Sequence, residues 1–172
     1  ISCVVNRCED EVSCPVFNAV QAGASAAAQM DVERVGVIST VFTHNSRCYP
    51  TRIQEQSPRK MVVLSCGCPD LARLVEHNLG DPTGMDEVER NLKLELDDMV
   101  LREKIQCCVL GCTHYPLVED RIRKLYPEVF CSFLGCHSNR RGMKLSGESL
   151  NGINIAVCGK KLYCVTTHPE LV

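Results

Sequence analysis

Apolar residues in this chain fall into two kinds of run. Short and nearly continuous apolar stretches occupy 34–40, 60–66 and 106–112, rich in Val, Ile, Leu and Cys. Runs of that length without alternation predict strands covered on both faces. Similar runs predict an earlier strand at 15–20 and a fifth at 129–134. Between them the spacing changes to threes and fours. Met85, Val88, Leu92, Leu96, Met99 and Val100 predict one buried face of a helix over 85–104, its charges forming the solvated face. The Ala-rich segment 22–30 predicts a helix. Segment 70–78 predicts a short helix that Asp70 caps, and 116–126 a further one. Segment 41–54 reads as mixed loop and helix, and 79–84 as a turn cluster. Segment 138–151 is polar and Gly-containing, a loop or weak helix. The runs 153–157 and 162–166 predict a terminal β-hairpin around Gly159-Lys160.

Strands alternating with helices imply βαβ units, hence an α/β fold with a parallel sheet flanked by helices. Crossovers are expected to be right-handed. Functional residues in such sheets lie just past the carboxyl ends of the strands. No internal repeat, low-complexity tract or flexible linker interrupts the pattern.

Composition narrows the function. The chain has 172 residues, a formal net charge of -2 and 5% aromatic residues with no Trp. That offers no electrostatic handle for nucleic acid or an anionic membrane, and no base-stacking platform. No apolar run is long enough to span a bilayer, and no secretion signal opens the chain. The expected location is cytoplasmic. Thirteen cysteines are the unusual feature. Their odd number, and their placement inside apolar runs, favour reduced thiols packed in a core over a disulfide scaffold. No Cys-x2-Cys pair occurs, which argues against a structural zinc site. No metal is therefore expected.

Three strand ends carry candidate chemistry. After the strand at 34–40 come Thr40, Thr43, Ser46 and Tyr49, spaced by three. Hydroxyls at that spacing lie near one helix face and could bind an anion, but from spacing alone capping and solvation are the favoured reading. After the strand at 60–66 comes Cys66-Gly67-Cys68-Pro69, then a helix carrying Glu76 and His77. Glu76 is either a surface carboxylate or one turned toward a cleft. After the strand at 106–112 comes Leu110-Gly111-Cys112-Thr113-His114-Tyr115-Pro116. Here a thiol ends a buried strand, Gly111 allows close backbone approach, and an imidazole follows at once. A nearby helix start and His would both lower the thiol pKa of Cys112 and favour thiolate.

Those last residues carry a resemblance. Leu110 to Pro116, LGCTHYP, is similar to the second cysteine motif of the glutamate racemases, in the aspartate/glutamate racemase superfamily. Other features match in order. Pro15-Val16-Phe17 with Ala22-Gly23-Ala24 resembles the entry to that family's second domain. Cys68-Pro69 with Leu74-Val75-Glu76 resembles its Cys-Pro segment and active-site Glu. Leu162 to Thr166 with Pro169-Glu170 resembles its terminal strand and tail. The resemblance implies cofactor-independent, two-base interconversion of L- and D-glutamate for peptidoglycan synthesis. It implies Cys112 as one acid/base residue, Thr113 as substrate-binding, His114 as an assistant to the thiol, and Glu76 as a tuning carboxylate. It leaves an aspartate racemase, or a non-catalytic thiol-rich binding remnant, as the competing assignments. The His114-Tyr115 pair favours the glutamate branch.

Departures qualify the match. The family's first cysteine lies in a Cys-Asn-Thr motif, preceded by an Asp-Ser-Gly loop, and neither is present. Asn18 replaces a usual Gly, and 129–149 diverges. The chain opens with Ile1. It is therefore expected to be the C-terminal two-thirds of a racemase, a half-site without turnover of its own. Residues 1–14 have no clear match, 15–118 would form the racemase domain, and 119–172 would return to a missing first domain. The strands in that last segment are expected to self-associate, in a homodimer for instance, or to be poorly ordered.

Overall fold

The apolar runs become a parallel sheet. In the computed structural model, which describes residues 18–133, 147–150, 153–158 and 161–166, four strands lie in the order β2-β1-β3-β4. They are β1 (Arg34–Ser39), β2 (Val62–Gly67), β3 (Cys107–Leu110) and β4 (Phe130–Phe133). All pairings are parallel. The lack of alternation has the expected cause, because both faces are covered. Val35, Val37, Cys107 and Val109 join one buried cluster with residues of α1 (Ala19–Ala28) and α3 (Cys48–Gln56). Their strand neighbours Ile38, Cys108 and Leu110 join the other, with α4 (Leu71–Asn78) and α5 (Pro82–Asp97). Leu71, Val75, Val88 and Leu92 are fully buried there, each worth about 1.5–3 kcal/mol of transfer free energy.

The strand order locates the functional end. From β1 the chain moves outward to β2, then returns past β1 to β3 and on to β4. The helices of the two directions lie on opposite faces, as crossovers of one hand require. The direction reverses between β1 and β3, and a crevice at the carboxyl ends of those two strands is where ligands bind in such sheets. The two ends are locked closely. The Gly111 N–H donates to the Ile38 carbonyl at 2.8 Å. A Cβ on residue 111 would meet that oxygen at 3.0 Å and the Tyr49 ring at 2.9 Å, so only glycine fits.

Several elements differ from the sequence reading. Residues 15–17 lie outside the described residues, but Ala19 and Val20 open α1 instead of ending a strand. The Asn18 side chain accepts from the N–H groups of Val20 at 3.0 Å and Gln21 at 3.3 Å, and this cap starts the helix early. Asp70 precedes α4 but makes no capping bond. It has helical backbone angles, and its carboxylate pairs with Arg73 at 3.2 Å. The long helix starts at Pro82, capped by Asp81 on the Thr83 N–H at 3.0 Å. It runs into a π-helical turn at Asp98–Arg102. The expected helix at 116–126 splits into a 3-10 turn, Tyr115–Val118, and α6 (Glu119–Leu125). Segment 41–54 forms two helices, α2 (Val41–Asn45) and α3, separated by Arg47 in the left-handed region at φ 54°.

The parallel sheet also passes the expected boundary at 118, since β4 pairs with β3. Within the segment read as loop or weak helix, β5 (Gly147–Leu150) is a strand. It pairs with β6 (Ile153–Cys158), and β6 with β7 (Lys161–Thr166), both antiparallel. The hairpin is therefore present, with its turn at 159–160 outside the described residues, and β5 supplies β6 with a second neighbour. Residues 1–14 also lie outside the described residues. No described helix is long and apolar enough to cross a membrane.

Candidate active site

Cys112 lies two residues past the end of β3, at the carboxyl ends of β1 and β3 where the strand order reverses. The half-buried Cys112 Sγ lies 3.7 Å from His114 Nδ1. On the far side of the ring, His114 Nε2 lies 3.9 Å from Glu76 Oε2. Thiol, imidazole and carboxylate thus form a line drawn from two elements, the loop after β3 and helix α4. The geometry suits the tautomer with the proton on Nε2, directed at Glu76, leaving Nδ1 to accept from the thiol. Glu76 keeps 61% of its side chain exposed, so the pair orients the ring and adds little stability.

The thiol's ionisation corrects one expectation. Burial pushes the Cys112 pKa above the ordinary thiol value. Backbone N–H groups of His114, Thr113 and Tyr115 oppose it, as the helix-start argument requires, but they do not win. Cys112 therefore rests as the neutral thiol, which is the acid form of an acid/base residue. Thr113 is exposed beside it.

The hydroxyl series does not form one face. Thr40 Oγ1 donates to Thr43 Oγ1 at 3.2 Å, and Ser46 Oγ donates to the Thr43 carbonyl at 2.6 Å. Thr40 makes no side-chain capping bond, and α2 has only five residues. Tyr49 lies on α3, buried against the sheet. Local bonding thus engages the Thr40, Thr43 and Ser46 hydroxyls. Thr40 alone of the three directly follows β1, next to the Cys112 strand.

The remaining thiols divide by environment. Cys66, Cys68, Cys107, Cys108, Cys112 and Cys131 are free thiols. Burial raises Cys107 to about 12 and Cys131 to about 11, and raises Cys108 as well. They are packing groups, as the apolar runs predict. Cys66, Cys68 and Glu95 were not expected to meet, yet their ligand atoms lie within 4.8 Å of one another. Glu95 falls on the apolar stripe of α5, between Leu92 and Met99, and a charge at that position was the available signal. Tyr115, read in the sequence only as part of the motif, has a further feature. Its ring is fully buried, and its hydroxyl has no aligned hydrogen-bond partner.

A separate groove of about 500 Å³ opens at the amino ends of β1 and β2, lined by Asp31, Glu33, Arg34, Arg59 and Lys60 among others. Its charges are mostly engaged with each other or nearby, Arg59 with Asp31 and Arg34 with Glu103. It lies at the opposite end of the sheet from Cys112, away from where this fold binds ligands.

A family model described as Asp/Glu/Hydantoin racemase matches residues 2–132. The chain belongs to that family. Among curated relatives, the glutamate racemase of Trichormus variabilis is 34% identical over 119 residues, 69% of this chain and 38% of the relative. The glutamate racemase of Persephonella marina is 33% identical over 129 residues, 74% of this chain and 48% of the relative. The chain thus spans less than half the length of these relatives. Among solved structures, a glutamate racemase isoform from Bacillus anthracis superposes with TM-score 0.68 at 31% identity, covering 78% of this chain and 49% of that one. The glutamate racemase of Francisella tularensis, solved in complex with D-glutamate, gives TM-score 0.66 at 25% identity, covering 78% and 50%. The parallel sheet flanked by helices is therefore the racemase fold, and Cys112 lies inside the matched region.

Proposed function

We propose that this chain provides one catalytic half of a cofactor-independent glutamate racemase that works in the cytoplasm and supplies D-glutamate for peptidoglycan. The observation that carries the reading is the line Cys112–His114–Glu76 at the switch point of the sheet. The α-proton of an amino acid is weakly acidic, so a site without an electron sink depends on matched acids and bases and on desolvation. Cys112, held as a half-buried thiol, delivers a proton to one face of the α-carbon or, as thiolate, removes it. His114 accepts from the sulfur and Glu76 fixes the ring, while exposed Thr113 is placed to bind the substrate. Inversion needs a second acid/base on the opposite face, and no Cys-Asn-Thr segment in this sequence supplies it. The exposed apolar side chains of Val41 and Phe42, at the same end of the sheet, give a second half a surface to cover.

The test is a graft. Residues 18–133 replace the matching segment of the Bacillus anthracis glutamate racemase. The chimera is expected to convert L-glutamate to D-glutamate, and Cys112→Ser in it to lose that turnover. Turnover of aspartate in preference to glutamate would move the assignment to the aspartate branch. A folded chimera with neither activity would overturn the reading. The 172-residue chain assayed alone is expected to form no D-glutamate.

A further inference from the structure

A second cluster shares no residue with the Cys112–His114–Glu76 line. Cys66 ends the apolar part of β2, and Cys68 follows two residues later, its N–H held by the Ser39 carbonyl at 2.8 Å. Glu95 reaches across from α5 and accepts from the Cys66 thiol at 3.1 Å. The two sulfurs and the carboxylate lie within 4.8 Å of one another, close to the spread of three ligands on one tetrahedral ion. Cys68 is buried, while Cys66 and Glu95 are partly open, which leaves an entry path.

A second observation points into the same place. The Tyr115 side chain is fully buried and its hydroxyl is orphaned. That hydroxyl lies against the Cys68 thiol, with Glu95 and Cys112 also acting on it. A neutral thiol is a weak acceptor. A metal-bound thiolate at Cys68 would take the phenol's proton as a hydrogen bond and satisfy it. A buried hydroxyl without an aligned partner carries a desolvation cost that such a bond would remove.

We propose that Cys66, Cys68 and Glu95 bind a divalent cation of the zinc class. Two thiolates and one carboxylate suit a borderline-soft ion, and water completes the four ligands. Binding replaces two S–H bonds with two S–metal bonds and releases two protons to solvent, while the carboxylate changes partner from thiol to ion. The ion would tie the end of β2 and the entry to α4 onto α5. Since α4 carries Glu76, the site would brace the active-site carboxylate from behind. Spacing alone could not show this, because the third ligand is distant in sequence. The inference stands on this geometry and is independent of the racemase reading.

The test uses the full 172-residue chain, purified with reductant, exposed to zinc and dialysed. One zinc per chain is expected, with a thermal unfolding midpoint that rises with added zinc. Cobalt in its place is expected to show thiolate-to-metal charge-transfer absorption. Cys66→Ser and Cys68→Ser are each expected to weaken binding at least about a hundredfold, since even outer-shell partners of metal ligands carry 10–100-fold. Cys48→Ser is expected to bind as the parent does. If Cys68→Ser misfolds by circular dichroism, Cys66→Ser and Glu95→Gln, both partly exposed, carry the comparison. Substoichiometric zinc in the parent, or equal binding by Cys66→Ser and Glu95→Gln, would overturn the proposal.

Discussion

At the residue scale, Cys112 is defined by two opposed effects. Three backbone N–H groups draw its pKa down and burial pushes it up, and burial prevails. Because the thiolate is the nucleophile, alkylation by iodoacetamide should be slow at neutral pH and keep rising past the ordinary thiol range. A plateau already reached by pH 8 would contradict the burial argument. His114→Ala removes the side-chain acceptor at 3.7 Å but keeps the backbone N–H that draws the thiol pKa down, so alkylation near neutrality is expected to stay close to the parent's, whereas turnover of the chimera, which needs the imidazole beside the thiol, is expected to fall. Glu76→Gln, which keeps the ring's neighbour but not its charge, is expected to do less. In the chimera, Cys112→Ser should cost on the order of 10²–10⁴-fold in turnover, the range of a positioned acid or base. These residues were legible in the sequence because Cys112, Thr113 and His114 are contiguous and sit at a strand end. Glu76 was legible only through resemblance, since a lone helical Glu carries no sign of what it faces. The Cys66–Glu95 contact was invisible, because it depends on how α5 packs over β2.

At the scale of elements, the buried strands and the long amphipathic helix were readable because both-face burial and one-face burial leave different periodicities. Their ends were not, because caps and breaks are decided by single residues. Asn18 shows this best. Its run of neighbours reads as strand, yet one side-chain oxygen bonds two helix-start N–H groups and turns Ala19 and Val20 helical. Asn18→Ala should therefore destabilise the chain by about 1 kcal/mol, measured by urea unfolding. Arg47 is another such residue, since a left-handed φ no sequence pattern announces divides 41–56 into two helices. Gly111 works in the opposite sense. Its neighbours are backbone and ring atoms that cannot move aside, so Gly111→Ala should cost about 1–3 kcal/mol, as overpacking does. It should also displace Cys112, so the chimera is expected to lose activity beyond what its stability loss explains.

Over the whole molecule, the buried thiols set how the chain responds to alkali. Cys107 is held at about 12 and Cys131 at about 11, with Cys108 also raised and all three inside the sheet core. In the unfolded chain these thiols would ionise near the ordinary value of 9.0. Their folded pKa values lie above the unfolded ones, so between the two the unfolded state has lost protons the folded state keeps. Stability is then full below about pH 9 and falls as pH climbs, by about 1.4 kcal/mol per pH unit for each thiol. The Cys131 contribution is exhausted near 11 and the Cys107 contribution near 12. Three such groups acting together remove several kcal/mol within two pH units, comparable with the roughly 5–15 kcal/mol that holds a domain. Unfolding by urea at successive pH values should therefore show a midpoint that is flat to about pH 9 and then drops steeply. The double variant Cys107→Ala, Cys131→Ala isolates the cause. It should start less stable at pH 8, through lost packing, and lose stability more gently above pH 9. A slope above pH 9 equal to the parent's would assign the alkaline loss to other groups.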